Sequence, residues 1–480
     1  MAGKLQPPLL KALAAMKYEH MTEVQHKVLK DMGNIKSDAL VQAKTGTGKT
    51  IAFLLPALQN LLTAPQLPDG QVGILIISPT RELAVQIAKE CDQLTASLSP
   101  PVDCHTAFGG TAKLTRLAKF MKGKPAVLVA TPGRLVDYLS DPDVAKKFED
   151  VRTVILDEAD TMLEAGHLIS VQKILKQIPP KSKGWQGLCF SATLPSKVKD
   201  VVHHILAPGY KHISTIDKNE PPTTSNVPQH SIIIPDIRDT FSVIHAFLQS
   251  EYEAAPADFK AIVFSSTANK TRLLYDLYLD IIPQMPVYQM QSRMSQGQRT
   301  RTTDEFKKTK KGILFASDVV GRGMDFPNVG LVAQVGLPSS SEQYIHRVGR
   351  TARAGNSGRA TILLTKCESL FLAQNRQLPI TPHPESAAIH NNAQAVAPQL
   401  LRKLQNIDYA TKSKAYMAWL GFNATKLFKG DKIALVNEAN AFSEGMGYEV
   451  PPELSPKAAG MMGLKGIPGV RVEGKRSQRA

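Results

Sequence analysis

Three carboxylates, Asp157, Glu158 and Asp160, fall within four positions, directly after the apolar run Val154, Ile155 and Leu156. Like charges this close repel unless a cation or a basic partner sits among them. A second string supplies the complement. "AKTGTGKT" (43–50) sets Gly46 and Gly48 among Thr45, Thr47, Lys49 and Thr50. Glycines there let backbone N–H groups turn toward a phosphate, Lys49 brings a point charge to the β/γ-phosphates, and Thr50 offers a hydroxyl to Mg²⁺. Asp157 would hold Mg²⁺ through water, and Glu158 would orient and deprotonate an attacking water. The chemistry these strings describe is hydrolysis of a γ-phosphate.

Such side chains need a frame. Two sets of short apolar runs alternate with helical stretches. The first set is "DALVQA" (38–43), "GILIIS" (73–78), "AVLVA" (126–130), "TVILD" (153–157) and "GLCFSAT" (187–193). The second is "SIII" (231–234), "AIVFSS" (261–266), "GILFAS" (312–317), "GLVAQV" (330–335) and "ATILLT" (360–365). Continuous apolar strands joined by helices predict parallel sheets covered on both faces. The expected fold class is α/β, with doubly wound domains at 1–216 and 230–370. The Pro-, Thr- and Asn-rich stretch 217–229 reads as a linker, with a typical span of roughly 20 Å. Alternation stops near residue 370. Residues 371–450 read as a helical extension and 451–480 as a basic, flexible tail.

The formal charge of +16 points to a polyanionic partner, nucleic acid before membrane. No 18-residue apolar run is present, so no transmembrane helix and no membrane partner are expected. Cys91, Cys104, Cys189 and Cys367 lie far apart without metal-ligand spacing, which predicts no structural zinc and suits a reducing compartment. The opening "MAGKLQPPLLKAL" reads as neither a secretory signal nor a transit peptide.

Taken in order, these strings resemble the DEAD-box RNA helicases of superfamily 2 over about residues 5–370. The resemblance implies two tandem RecA-like domains, ATP and Mg²⁺ as cofactors, and RNA as partner. "YEHMTEVQ" (18–25) is similar to the adenine-reading motif, with Gln25 on the base and Tyr18 near it. The RNA sugar–phosphate backbone falls to Pro79, Thr80 and Arg81 of "PTRELA", to Gly109 and Gly110, and to Thr131, Pro132, Gly133 and Arg134 of "TPGR". Ser191, Ala192 and Thr193 of "SAT", with Asp160, resemble the link between hydrolysis and strand separation. In the second domain Ser265 of "VFSST", Arg301 of "QRTR" and Ser317 of "ASDVVGRGMD" would add RNA contacts, and Asp325 would meet the ribose. Ser317 stands where Thr is common, and Val320-Gly321 replace two Ala; the hydroxyl survives. "YIHRVGRTARAG" (344–355) would supply Arg350 and Arg353 as arginine fingers, His346 as a bridge toward the hydrolysis machinery and Arg347 as its support.

Fingers in one domain and a phosphate loop in the other would complete a site only on closure, so ATP and RNA binding would be reciprocally coupled. Fingers of this kind supply about 10³–10⁵ in rate. Motifs that grip the backbone predict recognition of RNA shape and the 2′-OH, not of base sequence.

Beyond the core, "YATKSKAYMAWLGF" (409–422) with "GMGYEVPPELSPKAAGMMGLKGIPGVR" (445–471) resembles the extension of fungal mitochondrial DEAD-box RNA chaperones, which assist group I and group II intron folding. That likeness implies the mitochondrial matrix; nucleolar relatives with a related extension make the nucleolus the alternative. Tyr409, Tyr416 and Trp419 are open to a core role or an RNA role. The expected protein is a monomeric RNA-dependent ATPase that locally unwinds structured RNA. A nucleotide-gated clamp scaffolding an RNP, or a ribosome-biogenesis helicase, would use the same motifs.

Overall fold

Strands whose two faces are both covered by helices must be apolar throughout, and every run singled out above forms such a strand. The computed structural model describes the chain except residues 1–4, 33–35, 97, 100, 111–112, 165, 195, 217–226, 283–284, 319, 321–323, 325, 353–356 and 474–480. Two units carry one parallel sheet each. The first sheet holds β1 (Ala39–Gln42), β2 (Ile74–Ile77), β3 (Asp103–Ala107), β4 (Pro125–Ala130), β5 (Thr153–Leu156), β6 (Gln186–Ser191) and β7 (Lys211–Ser214). Their order is β3-β4-β2-β5-β6-β1-β7.

The second sheet holds β8 (Gln229–Ile234), β9 (Lys260–Ser265), β10 (Val287–Met290), β11 (Gly312–Ala316), β12 (Leu331–Val335), β13 (Arg359–Thr365) and β14 (Ile380–Pro382). Its order, β10-β11-β9-β12-β13-β8-β14, repeats the first strand for strand. The fold class is as expected, two tandem doubly wound sheets.

Four strands lie outside the apolar runs: β3, β7, β10 and β14. All four are sheet edges. An edge strand has only one neighbour and a half-wet face, so it needs no continuous apolar run. In "DCHTA" of β3 only Ala107 is buried.

Helix starts follow local chemistry. Thr22 and Gln25 close a capping box on the helix Glu23–Asp31. The hydroxyl of Thr80 accepts from Leu83 N at the start of Arg81–Thr95, and that of Thr267 accepts from Lys270 N at the start of Ala268–Ile281.

The helical extension is not a separate body. The helices Ser386–Asn406, Tyr409–Lys426 and Lys432–Gly445 share one hydrophobic core with Thr240–Ala254 and Ala268–Ile281. Trp419 stacks on Phe442 at 5.9 Å between ring centroids, and Phe442 stacks on Phe241 at 5.8 Å. Tyr416 and Trp419 are therefore core residues, each worth roughly 1.5–3 kcal/mol of burial. Tyr409 stays exposed and meets Tyr448 edge to face. The end of Lys432–Gly445 also covers the short turn Ile237–Asp239 that follows β8. There Arg238 Nε pairs with Glu444 Oε2 at 2.5 Å, and a Cβ on Gly445 would lie 2.5 Å from the Arg238 carbonyl oxygen.

The flexible tail expected from residue 451 is corrected for residues 451–473. Leu454 pairs in parallel with Val472, Ser455 caps the helix Pro456–Met461, and Leu454, Ala459 and Leu464 are buried in the second unit's core. The Gly- and Pro-rich composition serves turns: Gly463, Gly466 and Gly469 all take positive φ, which few other residues tolerate. Three well-spaced apolar anchors then suffice to hold the segment. Residues 474–480 lie outside the described residues.

Candidate functional site

The sheet register brings the chemistry of the first unit to one edge. Leu156 pairs with Cys189, and Gln42 with Ser191. Asp157, Ser191 and the loop opening at Ala43 therefore leave the same end of three neighbouring strands. The carboxyl end of a parallel sheet is where such folds bind ligands.

In the loop Gly46 and Gly48 hold φ of 76° and 85°. Gly48 is required for a second reason: a Cβ there would stand 2.6 Å from Gln25 Nε2. That amide donates to the Gly48 carbonyl at 3.2 Å, while Gln25 Oε1 accepts from Thr22 N at 3.0 Å. Gln25 thus ties its own helix start to the phosphate loop. Lys49 Nζ spans the loop to the Ala43 carbonyl at 3.0 Å, and the Thr47 hydroxyl closes on Lys44 O at 2.8 Å. Thr45 and Thr50 are part-exposed in the same loop. Beside it opens a cavity of about 670 Å³ lined by Thr22, Val24, Lys27, Lys44, Thr47 and Ile216, among others. Tyr18 is not on its wall. It is 41% exposed, and partial burial of the phenol, then the charge of Glu90, raises its pKa.

Asp157, Glu158 and Asp160 are all buried. Burial first, then repulsion from Glu158, pushes the Asp157 carboxyl up to about 7, against the opposing pull of Lys49. Glu158 sits at φ 49°, a left-handed conformation costing an L-residue of order 1–2 kcal/mol. Its Oε2 is buried without a hydrogen-bond partner among the described residues. A Thr hydroxyl with carboxylate oxygens is a hard-ligand set suited to Mg²⁺, and a cation would relieve the repulsion described here. The residues fit that ion.

Asp160 answers a different need. Its Oδ2 accepts from Thr193 N and Thr193 Oγ1, both at 2.8 Å, and its Oδ1 accepts from Thr161 N at 3.0 Å. Ser191 Oγ accepts from Asp160 N at 3.3 Å and donates to Thr193 O at 2.6 Å. Ala192 is buried between them in sequence. The third carboxylate of the acidic run is thus a clasp between the ends of β5 and β6.

Three neighbouring strands, β3, β4 and β2, carry the other group. Pro79 and Thr80 follow β2, and Thr131 opens the helix Pro132–Leu139 after β4. Gly109 and Gly110 follow β3, and the Arg81 guanidinium lies against them: a Cβ on Gly110 would be 2.1 Å from Arg81 Nη1. Arg134 is mostly buried, its Nε 3.7 Å from Asp137 Oδ2; Gly133 beside it has open space. Two helix N-termini and an arginine on one edge form an anion-binding row. The nucleotide-type and backbone-gripping residues thus occupy opposite halves of a single sheet edge.

In the second unit His346, Arg347 and Arg350 are buried. Arg347 Nε and Nη2 donate to Asp318 Oδ1 at 2.9 and 2.5 Å, Nη1 donates to Gln334 Oε1 at 3.3 Å, and the guanidinium lies over Phe264. Gln343 Nε2 also donates to Asp318 Oδ1, at 2.9 Å. Arg350 Nε reaches back to His346 O at 3.1 Å. Asp318 and Gln334 were missed from sequence. The available signal was Asp318 itself, next to Ser317, since a buried arginine needs an acidic partner.

Ser265 is buried with its hydroxyl 2.7 Å from Thr271 Oγ1, so it braces the start of the helix Ala268–Ile281. Ser317 is buried, while Arg301 is exposed. Asp325 and Arg353 lie outside the described residues.

Residues 22–201 match the family profile of the DEAD/DEAH box helicases, and residues 244–355 that of the helicase conserved C-terminal domain. The chain is 55% identical over 477 residues to the ATP-dependent RNA helicase mss116, mitochondrial, of Aspergillus oryzae, covering 98% of this chain and 75% of that protein. It is 52% identical over 478 residues to the MSS116 helicase, also named mitochondrial, of Phaeosphaeria nodorum, covering 99% and 86%. Among solved structures it is similar to Mss116p bound to ssRNA and AMP-PNP, with a TM-score of 0.86 at 27% identity, covering 98% and 96% of the two chains.

Proposed function

The chain belongs to the DEAD-box family of ATP-dependent RNA helicases, and on that premise we propose that it is a mitochondrial RNA chaperone that couples ATP hydrolysis to local unwinding of structured RNA, intron RNA among its substrates. The observation that carries this reading is the division of the first sheet's edge. A phosphate loop and a buried acidic pair occupy one half, and a row of anion-binding helix starts occupies the other.

The backbone of 45–48 and Lys49 cradle the phosphates, and Gln25 reports on the base through its bond to Gly48. Thr50 and Asp157 would hold Mg²⁺, which when bound neutralises phosphate charge. Glu158, with an unpaired buried oxygen, orients the attacking water and takes its proton. Thr80, Arg81, Gly109, Gly110, Thr131 and Arg134 hold the RNA backbone. In the second unit Arg350 and Arg353 are assigned as arginine fingers, Asp325 to the ribose, and His346 to the hydrolysis network; these roles rest on the motif. The names of the relatives support a mitochondrial location, placed here in the matrix, and a monomer without structural zinc is the working unit.

The test is the steady-state ATPase rate of wild type and Glu158→Gln with no nucleic acid, structured intron-like RNA, a short RNA duplex and the matching DNA. RNA should stimulate the wild type and DNA should not. Glu158→Gln should bind ATP, fail to turn over and hold RNA longer. Equal rates in all four conditions, or rapid RNA release by the mutant with ATP, would overturn the assignment.

A further inference from the structure

Each strand in the backbone-gripping half of the first sheet is followed by a helix with an arginine near its start. Arg81 after β2 and Arg134 after β4 fall within the strings read from sequence. The third, Arg116, stands in the helix Lys113–Lys122 after β3 and belongs to none of those strings.

The Arg116 guanidinium is held from two sides. Its Nη1 donates to Thr106 Oγ1 on β3 at 2.8 Å, and its Cζ stands over the Phe108 ring, 4.2 Å from the centroid. Phe108 directly precedes Gly109 and Gly110, against which the Arg81 guanidinium lies. Two arginines from different helices therefore meet the consecutive residues 108–110. Thr131 N donates to Ala107 O at 2.9 Å, which staples the start of the Arg134 helix beside the same strand end.

These bonds leave the charge of Arg116 uncompensated. Among the described residues no carboxylate pairs with it, and its Nε and Nη2 meet no acceptor yet are not sealed from solvent. The residue is half-buried. Desolvation lowers the guanidinium's pKa, and the positive charge of Arg134 adds to that. A partly dried cation, fixed by a hydroxyl and an aromatic face and with donors to spare, is prepared for an anion that accepts from two N–H groups at once.

We infer that Arg116 is a further RNA-binding residue, which takes a backbone phosphate at the β3 end of the row, beside Gly109 and Gly110. This deepens the reading of that edge as an RNA grip and rests on it. Thr106 is a positioning residue: it holds the guanidinium and carries no charge to the phosphate.

The test is fluorescence anisotropy of a labelled single-stranded RNA with the full chain, AMP-PNP and Mg²⁺, between about 0.05 and 0.2 M salt. Each phosphate contact to a single strand contributes about 0.7 to the slope of log Kd against log salt. Arg116→Met and Arg116→Gln both keep a stem over Phe108 and remove the charge. They should weaken binding about tenfold at the low-salt end and flatten the slope by that one contact. Arg116→Lys keeps the charge and should restore the wild-type slope. Thr106→Val keeps the arginine but loses its pin, so it should cost about threefold in affinity at an unchanged slope. A wild-type slope in the two charge-removing variants would overturn the contact and leave the proposed function standing, because a mere brace for the helix costs the same affinity at every salt concentration. Failure of the wild type to bind RNA would overturn both.

Discussion

Thr193→Val isolates the clasp at the end of β5 and β6. Valine has the shape of threonine, so the change removes only the Thr193 Oγ1 bond to Asp160 Oδ2, at 2.8 Å. Asp160 keeps Thr193 N and Thr161 N as donors, so the buried carboxylate is not orphaned. One hydrogen bond to a charged group contributes about 1.5–3 kcal/mol. Thr193 is part-exposed, which places the loss at the lower end of that range. None of the atoms that cradle phosphate is touched. The expected outcome is RNA-stimulated ATP hydrolysis within about twofold of wild type, with duplex unwinding per ATP reduced about tenfold, the kinetic equivalent of about 1.4 kcal/mol. The assay pairs steady-state ATPase with strand displacement of a short RNA duplex on the same preparation. Asp160→Asn is the contrast. Either orientation of its amide turns a donor toward a backbone N–H, so it should cost about 1–3 kcal/mol for each donor left unpaired and unfold at lower denaturant. If hydrolysis and unwinding fall together in Thr193→Val, or if Asp160→Asn is no worse than Thr193→Val, the clasp does not link the two activities.

Gly110→Ala should weaken RNA binding several-fold and leave ATP affinity alone, because Gly110 holds φ 79° and a Cβ there would displace the Arg81 guanidinium; fluorescence anisotropy with labelled RNA reads this. Leu464→Ala should destabilise the second unit by about 2–5 kcal/mol in a urea titration, since Leu464 is fully buried; a change under 0.5 kcal/mol would mean the segment is not core. Arg353→Ala should abolish hydrolysis with little loss of RNA affinity, and unchanged turnover would remove it as a finger.

The active motifs were legible because their chemistry dictates both residue types and spacing: a phosphate loop needs glycines where the backbone turns, and a carboxylate run needs a cation. The ten central strands were legible because burial on both faces demands continuous apolar residues. The four edge strands were not, since "KHIS" or "VYQM" need satisfy only one neighbour. Composition misled at 451–473, where glycine and proline suggested disorder while Leu454 and Leu464 anchored the chain in a core that only tertiary packing reveals. Ser265 matched its motif and spends its hydroxyl inside the fold, and Asp318, an acidic residue beside Ser317, gained its meaning once Arg347 was seen to be buried against it. Asp160 was assigned to coupling by likeness, but the atoms that make it a clasp appear only when β5 and β6 lie side by side.

The repeated strand order also decides where an appendage can dock. The two sheets share one seven-strand permutation, and β1 and β8 hold the same slot in each. In the first sheet that slot opens into the phosphate loop. In the second it opens into Ile237–Asp239, beneath the helix Lys432–Gly445 and the Arg238–Glu444 pair. The helix Lys432–Gly445 thus covers, in the second sheet, the slot that carries the phosphate loop in the first. A helix berthed in the same way on the first sheet would cap the loop at 43–50, so only the second sheet's slot is free to carry one.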